Sequence, residues 1–385
     1  MIKTKTVLQI ILTFSLIFNT NCQTIPQSNQ GQNIKLRSIT LIPSVLKESS
    51  GIVAKNRNSI WSHNDSGNSN DLFLFDSTGN LLRTIRVSNI SNIDWEDLAT
   101  DNEGRIYIND AGNNNNDRTD LAIHIIPNPD SFQGNQIQAT SINFAFEDQT
   151  AFPPPASKRN FDIEGIIWHN DSIVMFTKNR STPLDGYCKM YKIPAMAGNY
   201  TAKLIDSIFL GNTNNDARVT AAAIRRETGE MVLLTRSRVL SFHQYSGGNF
   251  FNGEMTVYPF VDLPGQAEAI DFVSDNVVYI TEEGSSNQSG YLYEAVLREA
   301  SGTNEEKFRT SSLIKKIFNH TLFVSLRNEQ TEIENLKIID LKGITVSLSD
   351  SKNDQLSITG LKAGIYILQV ATKNGFIIEK IFINE

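Results

Sequence analysis

The chain has 385 residues, and 35 Lys and Arg residues against 42 Asp and Glu residues give it a formal net charge of −7. A chain without a basic field does not attract polyphosphates by charge, so nucleic acid is not expected as a partner. At roughly 100–200 residues per domain the length predicts two or three domains, and the 40% of hydrophobic residues can fill a core in each.

The N-terminal segment has the pattern of an export signal. Two lysines precede an apolar run of 12 residues (7–18), and a polar segment follows. Because about 20 apolar residues are needed to span a bilayer, the run predicts a secretory signal peptide over residues 1–22 rather than a membrane anchor. Lipid attachment at Cys22 is the alternative. Residues 23–33 then form an N-terminal linker, and no transmembrane segment is expected in the mature chain.

Cysteine and tryptophan residues indicate how the mature chain is stabilised. Cleavage after Cys22 leaves Cys188 as the single cysteine, which excludes an intramolecular disulfide. We expect Cys188 to be a buried small hydrophobe rather than a reactive thiol. Trp61, Trp95 and Trp168 are expected to pack between structural units, with stacking of Trp95 on a ligand ring as the alternative.

Residues 34–298 have the pattern of a repeated β-domain. Short runs rich in Val, Ile, Phe and Tyr alternate with turn residues, and no segment keeps helical spacing of apolar residues for three turns. Five units repeat, each opening with small or acidic residues that run into an apolar strand. The five openings are SSGIVAKN, WEDLATD, IEGIIWHN, TAAAIRR and EAIDFV.

The repeats predict an all-β fold, a five-bladed β-propeller over residues 34–298. Second and third strands follow every opening, whereas a fourth strand follows in four units only. The strand-like segment Ile34–Pro43 lies before the first repeat and can supply the missing outer strand of the last blade, which would close the ring. A six-bladed ring is the alternative, and it requires a hidden blade between residues 96 and 164.

The residues that open the repeats predict a metal site. The first strand of each blade lines the channel of a propeller, so these residues should face one another: Ser50, Glu96, Glu164, Thr220 and Glu268. Three carboxylates on one axis repel at low dielectric and raise each other's pKa unless a cation is present. Oxygen ligands without a His or Cys cluster favour calcium over zinc. The alternative is that the glutamates are hydrogen-bonded to backbone amides and solvated by channel water.

Charged residues at the ends of the second strands predict a ligand site at the same mouth. Candidates for ligand binding are His63, Lys178, Arg180, Arg236 and Glu282, and candidates to orient a water molecule are Asp65 and Asp110. The bases suit a phosphate or carboxylate group, beside acids and a metal. The alternative is that these are solvated loop residues and that His63 is a structural, hydrogen-bonded residue. The Asn-rich segment 110–117 lacks the spacing of an EF-hand loop and predicts a turn-rich loop.

The order and spacing of the five opening residues resemble the calcium-activated apyrase family. In these five-bladed nucleotidases a Ser-Glu-Glu-Ser-Glu set rings a central ion, and Thr220 would replace the fourth member. The phrases KESSGIV, DWEDLA, FDIEGII and HNDSG also resemble the SdiA-regulated and esterase-like phytase groups of secreted or periplasmic propellers. The resemblance covers about 260 residues and implies a propeller with a calcium ion, and a nucleotidase or phytase activity.

The C-terminal part of the sequence is a separate module. Residues 299–312 are polar and form a linker, and residues 313–385 show six or seven short strands that predict a small antiparallel β-sandwich. This module resembles the type IX secretion sorting domain of Bacteroidota, whose Leu-x-x-Gly-Ile-Tyr phrase is matched by Leu361, Gly364, Ile365 and Tyr366. An ordinary immunoglobulin-like or carbohydrate-binding appendage is the alternative.

Together these patterns leave two functions open for a protein secreted or held at the outer-membrane surface. The resemblance of the tail implies export by a Sec signal and then by the type IX machinery, which would be the partner of residues 313–385. The propeller would either bind a small anionic or polymeric ligand beside calcium, or hydrolyse phosphate esters with the metal. No nucleophile elbow, phosphate-binding loop or HExxH motif occurs, which disfavours serine hydrolase and zinc protease functions.

Overall fold

The computed structural model describes residues 28–285, 288–298, 313–318, 320–326, 333–341, 344–349, 354–372 and 375–383. The predicted signal peptide, Cys22 and the predicted linker 299–312 lie outside these ranges. No helix in the described part of the chain is both long and apolar enough to cross a membrane.

Nearly all regular structure is β-strand. Two strands, β1 (Ser28–Gln30) and β2 (Arg37–Leu41), precede the first repeat. Blade 1 contains β3 (Ser49–Asn56), β4 (Ser59–Asn64), β5 (Asp71–Phe75) and β6 (Leu81–Val87). Blade 2 contains β7 (Leu98–Thr100), β8 (Ile106–Asp110), β9 (Ala122–Ile126) and β11 (Thr140–Phe146), and β10 (Gln136–Ile137) lies before its last strand.

The remaining three blades follow in chain order. Blade 3 contains β12 (Ile163–His169), β13 (Ser172–Thr177), β14 (Tyr187–Pro194) and β15 (Gly198–Phe209). After the short helix α1 (Asn214–Ala217), blade 4 contains β16 (Val219–Arg225), β17 (Glu230–Thr235), β18 (Arg238–His243) and β19 (Glu254–Pro259). Blade 5 contains β20 (Gln266–Ser274), β21 (Val277–Glu283) and β22 (Tyr291–Val296). Single 3-10 turns cover Pro129–Ser131, Ala156–Lys158 and Phe250–Asn252.

The N-terminal strand closes the ring. β2 pairs antiparallel with β22 as the outer strand of blade 5, with Arg37 opposite Glu294. The guanidinium groups of Arg37 and Arg57 both pair with the Glu294 carboxylate. The prediction of five blades, with the segment before the first repeat completing the last blade, is therefore confirmed.

Three parallel pairings at the rim were not predicted. β1 pairs with β19, and β10 pairs with β6. β15, at 12 residues the longest strand of the propeller, pairs with β11, which joins blades 2 and 3 into one eight-stranded sheet. These pairings cover outer edges that would otherwise present unpaired backbone groups.

Apolar side chains fill the spaces between the blades. Trp61 and Trp95 are fully buried in one cluster formed by blades 1 and 2, and Trp168 is buried in a cluster formed by blades 2 and 3. Cys188 is a free, buried residue in the cluster between blades 3 and 4, and burial raises the pKa of its thiol to about 12. The expectations for the tryptophans and for Cys188 are confirmed.

The inner strands pack so closely that the channel is constricted halfway along. A Cβ atom on Gly51 would lie 2.8 Å from the Leu98 nitrogen, and one on Gly165 would lie 2.9 Å from the Ala222 nitrogen. At the same level the buried Asp97 carboxylate accepts hydrogen bonds from backbone nitrogens of three inner strands. The channel therefore has two separate ends: the mouth, at the start of the inner strands, and the base, at their ends.

The C-terminal module forms two antiparallel sheets. The described strands are β23 (Leu313–Phe318), β24 (Thr321–Leu326), β25 (Ile333–Ile339), β26 (Thr345–Leu348), β27 (Gln355–Ser357), β28 (Gly364–Thr372) and β29 (Gly375–Ile383). The sheet orders are β23-β24-β27 and β26-β25-β28-β29. One buried cluster draws Leu322, Leu356, Ile338 and Leu368 from both sheets, so the small sandwich predicted from the sequence is confirmed.

Candidate cation site at the channel mouth

Four of the five residues predicted to bind calcium form two linked pairs at the mouth, and the fifth, Thr220, bonds to the backbone. The Ser50 hydroxyl donates a hydrogen bond to Glu96 Oε2 at 3.4 Å. The Thr220 hydroxyl donates to the Ala267 carbonyl at 2.8 Å. Glu164 and Glu268 are connected through a lysine, as described next.

The ammonium group of Lys178 lies between two of the predicted metal ligands. Its Nζ is 3.0 Å from Glu164 Oε1 and 3.8 Å from Glu268 Oε2. Burial opposes the charge of Lys178, but the two carboxylates outweigh this effect and raise its pKa. Arg180 supplies a second cation, with Nη2 2.9 Å from Glu164 Oε1 and Nε 2.5 Å from Asp162 Oδ2. Two of the three bases predicted to bind an anionic ligand are thus engaged by acids of the protein.

Three further aspartates join the glutamates at the mouth. Carboxylate oxygens of Asp65, Asp94 and Glu96 all lie within 4.8 Å of one another, as do those of Glu96, Asp162 and Glu164. Glu96 belongs to both groups. We call Asp65, Asp94, Glu96, Asp162, Glu164 and Glu268 the mouth cluster. Against Lys178 and Arg180 its six carboxylates leave an excess of four negative charges when all are ionised (6 − 2 = 4).

Hydrogen bonds from blade 2 hold the Asp94–Glu96 segment in place. Asp110 Oδ1 accepts a hydrogen bond from the Asp94 nitrogen at 3.0 Å and contacts Arg118 Nη2 at 3.2 Å, and Asp110 Oδ2 is 3.3 Å from His124 Nε2. Although burial disfavours its charge, the His124 hydrogen bond and the Arg118 charge lower the pKa of Asp110. Asp110, predicted to orient water, therefore has its carboxylate occupied by protein groups.

The Asn-rich loop after β8 positions the corresponding segment of blade 3. The Asn113 nitrogen donates to Asp162 Oδ1 at 2.5 Å, and the Asn116 side-chain oxygen accepts from the Phe161 nitrogen at 2.9 Å. Asn113 Oδ1 also accepts from the Asp117 nitrogen, and Asn116 has a φ of 58°. The loop is turn-rich, as predicted. Gly112 beside it allows close approach, since a Cβ there would lie 2.6 Å from Asp94 Oδ2.

Burial makes the charges of the mouth cluster costly. Burial, together with Glu164, Asp65 and Asp162, raises the pKa of Glu96 well above its ordinary value. Burial and the carboxylates of Asp162 and Asp65 raise the pKa of Asp94 to about 6. Burial raises the pKa of Glu164 and Glu268 as well, against the lowering effect of Lys178.

The donor set fits a hard divalent cation. Two oxygens bound to one calcium ion at about 2.3–2.6 Å lie at most about 5 Å apart. The carboxylate oxygens of each group lie within 4.8 Å of one another and therefore meet this condition. Carboxylates, with Ser50 as a nearby hydroxyl, are the ligands that calcium prefers, and neither group contains a histidine or cysteine. On this geometry Asp65, Asp94 and Glu96 would hold the ion, with Asp162 and Glu164 adjacent, while Lys178 neutralises the Glu268 side.

The other predicted ligand-binding residues lie in different surroundings. His63 is fully buried beside Trp95, its Nδ1 is 2.8 Å from the Asn64 carbonyl, and burial lowers its pKa to about 4. Its Nε2 is buried and has no hydrogen-bond partner within the described ranges. Arg236 is exposed and has no ion pair within the described ranges. Glu282 Oε2 accepts a hydrogen bond from the Gly265 nitrogen at 2.9 Å.

A simple pattern in the sequence could have found two of the additional acids. Asp94 and Asp162 each stand two residues before a predicted ligand, as Asp-x-Glu in DWE and DIE. Residues i and i+2 of an extended chain point to the same side, so each pair presents two carboxylates to the axis. Asp97 carries no such signal, because its partners Ile166 and Ala222 are 69 and 125 residues away.

Comparison with known proteins identifies the C-terminal module. Residues 318–384 match the family described as secretion system C-terminal sorting domain. No curated protein matches the chain.

Three solved structures with similarity to the chain have TM-scores under 0.5. The PQQ-bound aldose sugar dehydrogenase of Streptomyces coelicolor is 8% identical, with 70% of this chain and 99% of that one covered and a TM-score of 0.44. The Mala s 1 allergen of Malassezia sympodialis is 11% identical, with coverage of 66% and 78% and a TM-score of 0.40. PorZ, a surface component of the type IX secretion system of Porphyromonas gingivalis, is 10% identical, with coverage of 88% and 45% and a TM-score of 0.33.

At these TM-scores neither the fold nor the function of this chain is inferred from the similar structures. Its propeller is defined by its own strand pairing. The family match confirms the sorting domain predicted at the C-terminus, and the protein is a secreted or cell-surface β-propeller protein.

Proposed function

We propose that the propeller binds a calcium ion at its mouth and uses the ion to hold an anionic ligand outside the cell. The observation that carries this proposal is the environment of Glu96. Its carboxylate is buried and belongs to two groups of close carboxylates, and among the described residues it receives one hydrogen bond, from Ser50 at 3.4 Å. A buried carboxylate with so few donors is costly unless a cation lies beside it.

The protein's own cations do not meet this need. Lys178 and Arg180 are bonded to Glu164, Glu268 and Asp162, whereas Asp94 and Glu96 have no ion pair within the described ranges. The excess of negative charge thus lies on the side of blades 1 and 2. A divalent ion there would offset part of it and would leave coordination positions open towards the solvent for a phosphate or carboxylate group.

The contacts favour binding over hydrolysis of phosphate esters. Lys178 and Arg180, two of the three bases expected to hold a phosphate, are paired with acids, and Asp110 is occupied by Arg118 and His124. Without the ion the mouth would repel an anion. Capture of an anionic ligand should therefore depend on calcium, with Asp65 left as the acid that could orient a water molecule if turnover occurs.

The experiment is a thermal melt of the full mature chain in EDTA and in calcium, with isothermal titration of the metal alone. A ligand that binds the folded state at 100 times its Kd stabilises it by about 2.7 kcal/mol. For a domain of this size that corresponds to a rise in Tm of roughly 5–10 °C. Glu96→Gln should abolish most of the rise, whereas Glu254→Gln, an exposed residue on β19, should preserve it.

Equal Tm values in EDTA and millimolar calcium would refute the cation site. A calcium shift that survives Glu96→Gln would place the ion elsewhere. Phosphate release from nucleotides or phytate, dependent on calcium and lost in Glu96→Gln, would replace the binding function with a hydrolytic one.

A further inference from the structure

The base of the channel contains a second cavity, opposite the mouth. Its volume is about 430 Å³, within the range of small-molecule sites. The ends of β3, β7, β16 and β20 line it, so four of the five blades contribute. None of the residues predicted to form the metal or ligand site lies in this lining.

The constriction of the channel separates this cavity from the mouth. Next to the base cavity lies a space of only about 30 Å³, which shares Arg226 and Asp271 with the cavity and is otherwise lined mainly by apolar side chains. The buried Asp97 carboxylate and the close approach at Gly51 and Gly165 occupy the same level. A molecule bound at the base therefore does not contact the mouth cluster.

Two charged groups in the lining have no ion-pair partner within the described ranges. Arg226 Nη1 donates to the Thr100 carbonyl at 2.6 Å, and its other guanidinium hydrogens have no partner there. Asp271 lies within electrostatic range of Arg226. Each of its carboxylate oxygens accepts one hydrogen bond from the backbone, Oδ2 from the Ala54 nitrogen at 2.7 Å and Oδ1 from the Phe272 nitrogen at 2.8 Å. Arg225, by contrast, is ion-paired with Glu227 and Asp275, although its Nε has no hydrogen-bond partner.

The remaining charges of the lining are already paired. Lys55 Nζ bonds to the Asp130 carboxylate. Asp101 accepts hydrogen bonds from Arg105 Nε at 2.5 Å and from the Tyr107 hydroxyl at 3.1 Å. Two groups are thus left for a ligand. The Arg226 guanidinium can bind a carboxylate through two hydrogen bonds, and the Asp271 carboxyl group can accept a hydrogen bond from a hydroxyl group.

We propose that this base cavity binds a small hydroxylated carboxylic acid of monosaccharide size, with Arg226 holding its carboxylate and Asp271 a hydroxyl group. The apolar part of the lining is small, being confined to side chains such as Ile224, Phe272 and Val273, which disfavours lipids and aromatic ligands. The volume admits a sugar acid together with a few water molecules. This proposal is independent of calcium at the mouth.

The test is a titration of the full mature chain with glucuronate in EDTA, so that a metal at the mouth cannot contribute, with glucose as the neutral comparison. We expect glucuronate to bind and glucose to bind at least about tenfold more weakly, because glucose lacks the charged group that pairs with Arg226. Arg226→Gln should weaken glucuronate binding by a similar factor. Lys35→Gln removes one positive charge from an exposed position away from the cavity and should leave binding unchanged.

Ser274→Phe provides a second variant in case Arg226→Gln is unstable. Ser274 is an exposed residue at the end of β20, where a larger side chain would fill the cavity without altering the core, so glucuronate binding should be lost while the Tm is retained. The proposal is overturned if glucuronate does not bind at about 10 mM, if glucose binds equally well, or if binding survives both variants.

Discussion

Asp97 connects three blades through one carboxylate, and its removal should weaken the whole ring. Oδ1 accepts from its own neighbour, the Leu98 nitrogen, at 2.8 Å. Oδ2 accepts from the Ile166 nitrogen of blade 3 at 2.9 Å and from the Ala222 nitrogen of blade 4 at 3.1 Å. The two partners lie in innermost strands, whose N–H groups on the channel side have no further strand to pair with.

The expected cost of Asp97→Ala follows from these three hydrogen bonds. A buried N–H group left without an acceptor costs about 1–3 kcal/mol, so three such groups amount to roughly 3–9 kcal/mol. Removing a buried carboxylate whose pKa is raised by burial offsets part of this cost. We therefore expect a net loss of about 3 kcal/mol, or a decrease in Tm of roughly 6–12 °C for a domain of this size.

Thermal and urea unfolding of the propeller measure this loss, and Asp76→Ala is the matched control. Asp76 accepts four hydrogen bonds from Thr78 and Asn80 in a surface turn, one more than Asp97, but water can replace them. The control should therefore lose less than about 1 kcal/mol. If both variants lose equally little, the reasoning that the Asp97 carboxylate stabilises the ring is wrong.

Two further predictions concern buried charges. In EDTA, Lys178→Met should destabilise the propeller by about 3–5 kcal/mol, because Glu164 and Glu268 lose their ammonium partner. Calcium should then raise the Tm of this variant more than that of wild type. The same change at exposed Lys35 is the control, and an unchanged melt of Lys178→Met would refute the role of Lys178. Burial raises the pKa of Asp271 from 3.8 to about 7, so between these two pH values the folded state retains a proton that the unfolded state has lost. The free energy of unfolding should therefore fall by roughly 2–4 kcal/mol as the pH rises from about 4 to about 7. Urea unfolding at pH 5 and pH 8 should show a smaller difference in Asp271→Asn than in wild type, and an equal difference would contradict this assignment.

The fold could be predicted because the information is local and repeated. Strand alternation and turn residues mark each blade, and the unpaired segment before the first repeat identifies the strand that closes the ring. The rim pairing of β11 with β15 could not be predicted in the same way. It depends on how two neighbouring blades sit beside each other, which no short-range pattern encodes.

The candidate site was predictable only in part, for a related reason. The repeat phase brings Ser50, Glu96 and Glu164 to one end of the channel. It does not reveal that Lys178 extends between Glu164 and Glu268 and supplies a cation of the protein itself. Whether a carboxylate is neutralised by a side chain or left for a metal depends on side-chain geometry, and the sequence alone leaves that open.

Pairing β2 with β22 has a consequence for how the molecule is assembled. Arg37 and Glu294 are separated by 257 residues, so this contact can form only after the polypeptide between them has emerged and ordered. Contacts between residues so far apart in sequence form slowly because closing the long loop between them costs conformational entropy. The ring is therefore expected to close late in folding. A product truncated before blade 5 would keep several well-formed blades and yet remain an open arc, because the apolar faces of blades 1 and 4 that pack against blade 5 would be uncovered and available for association with other copies.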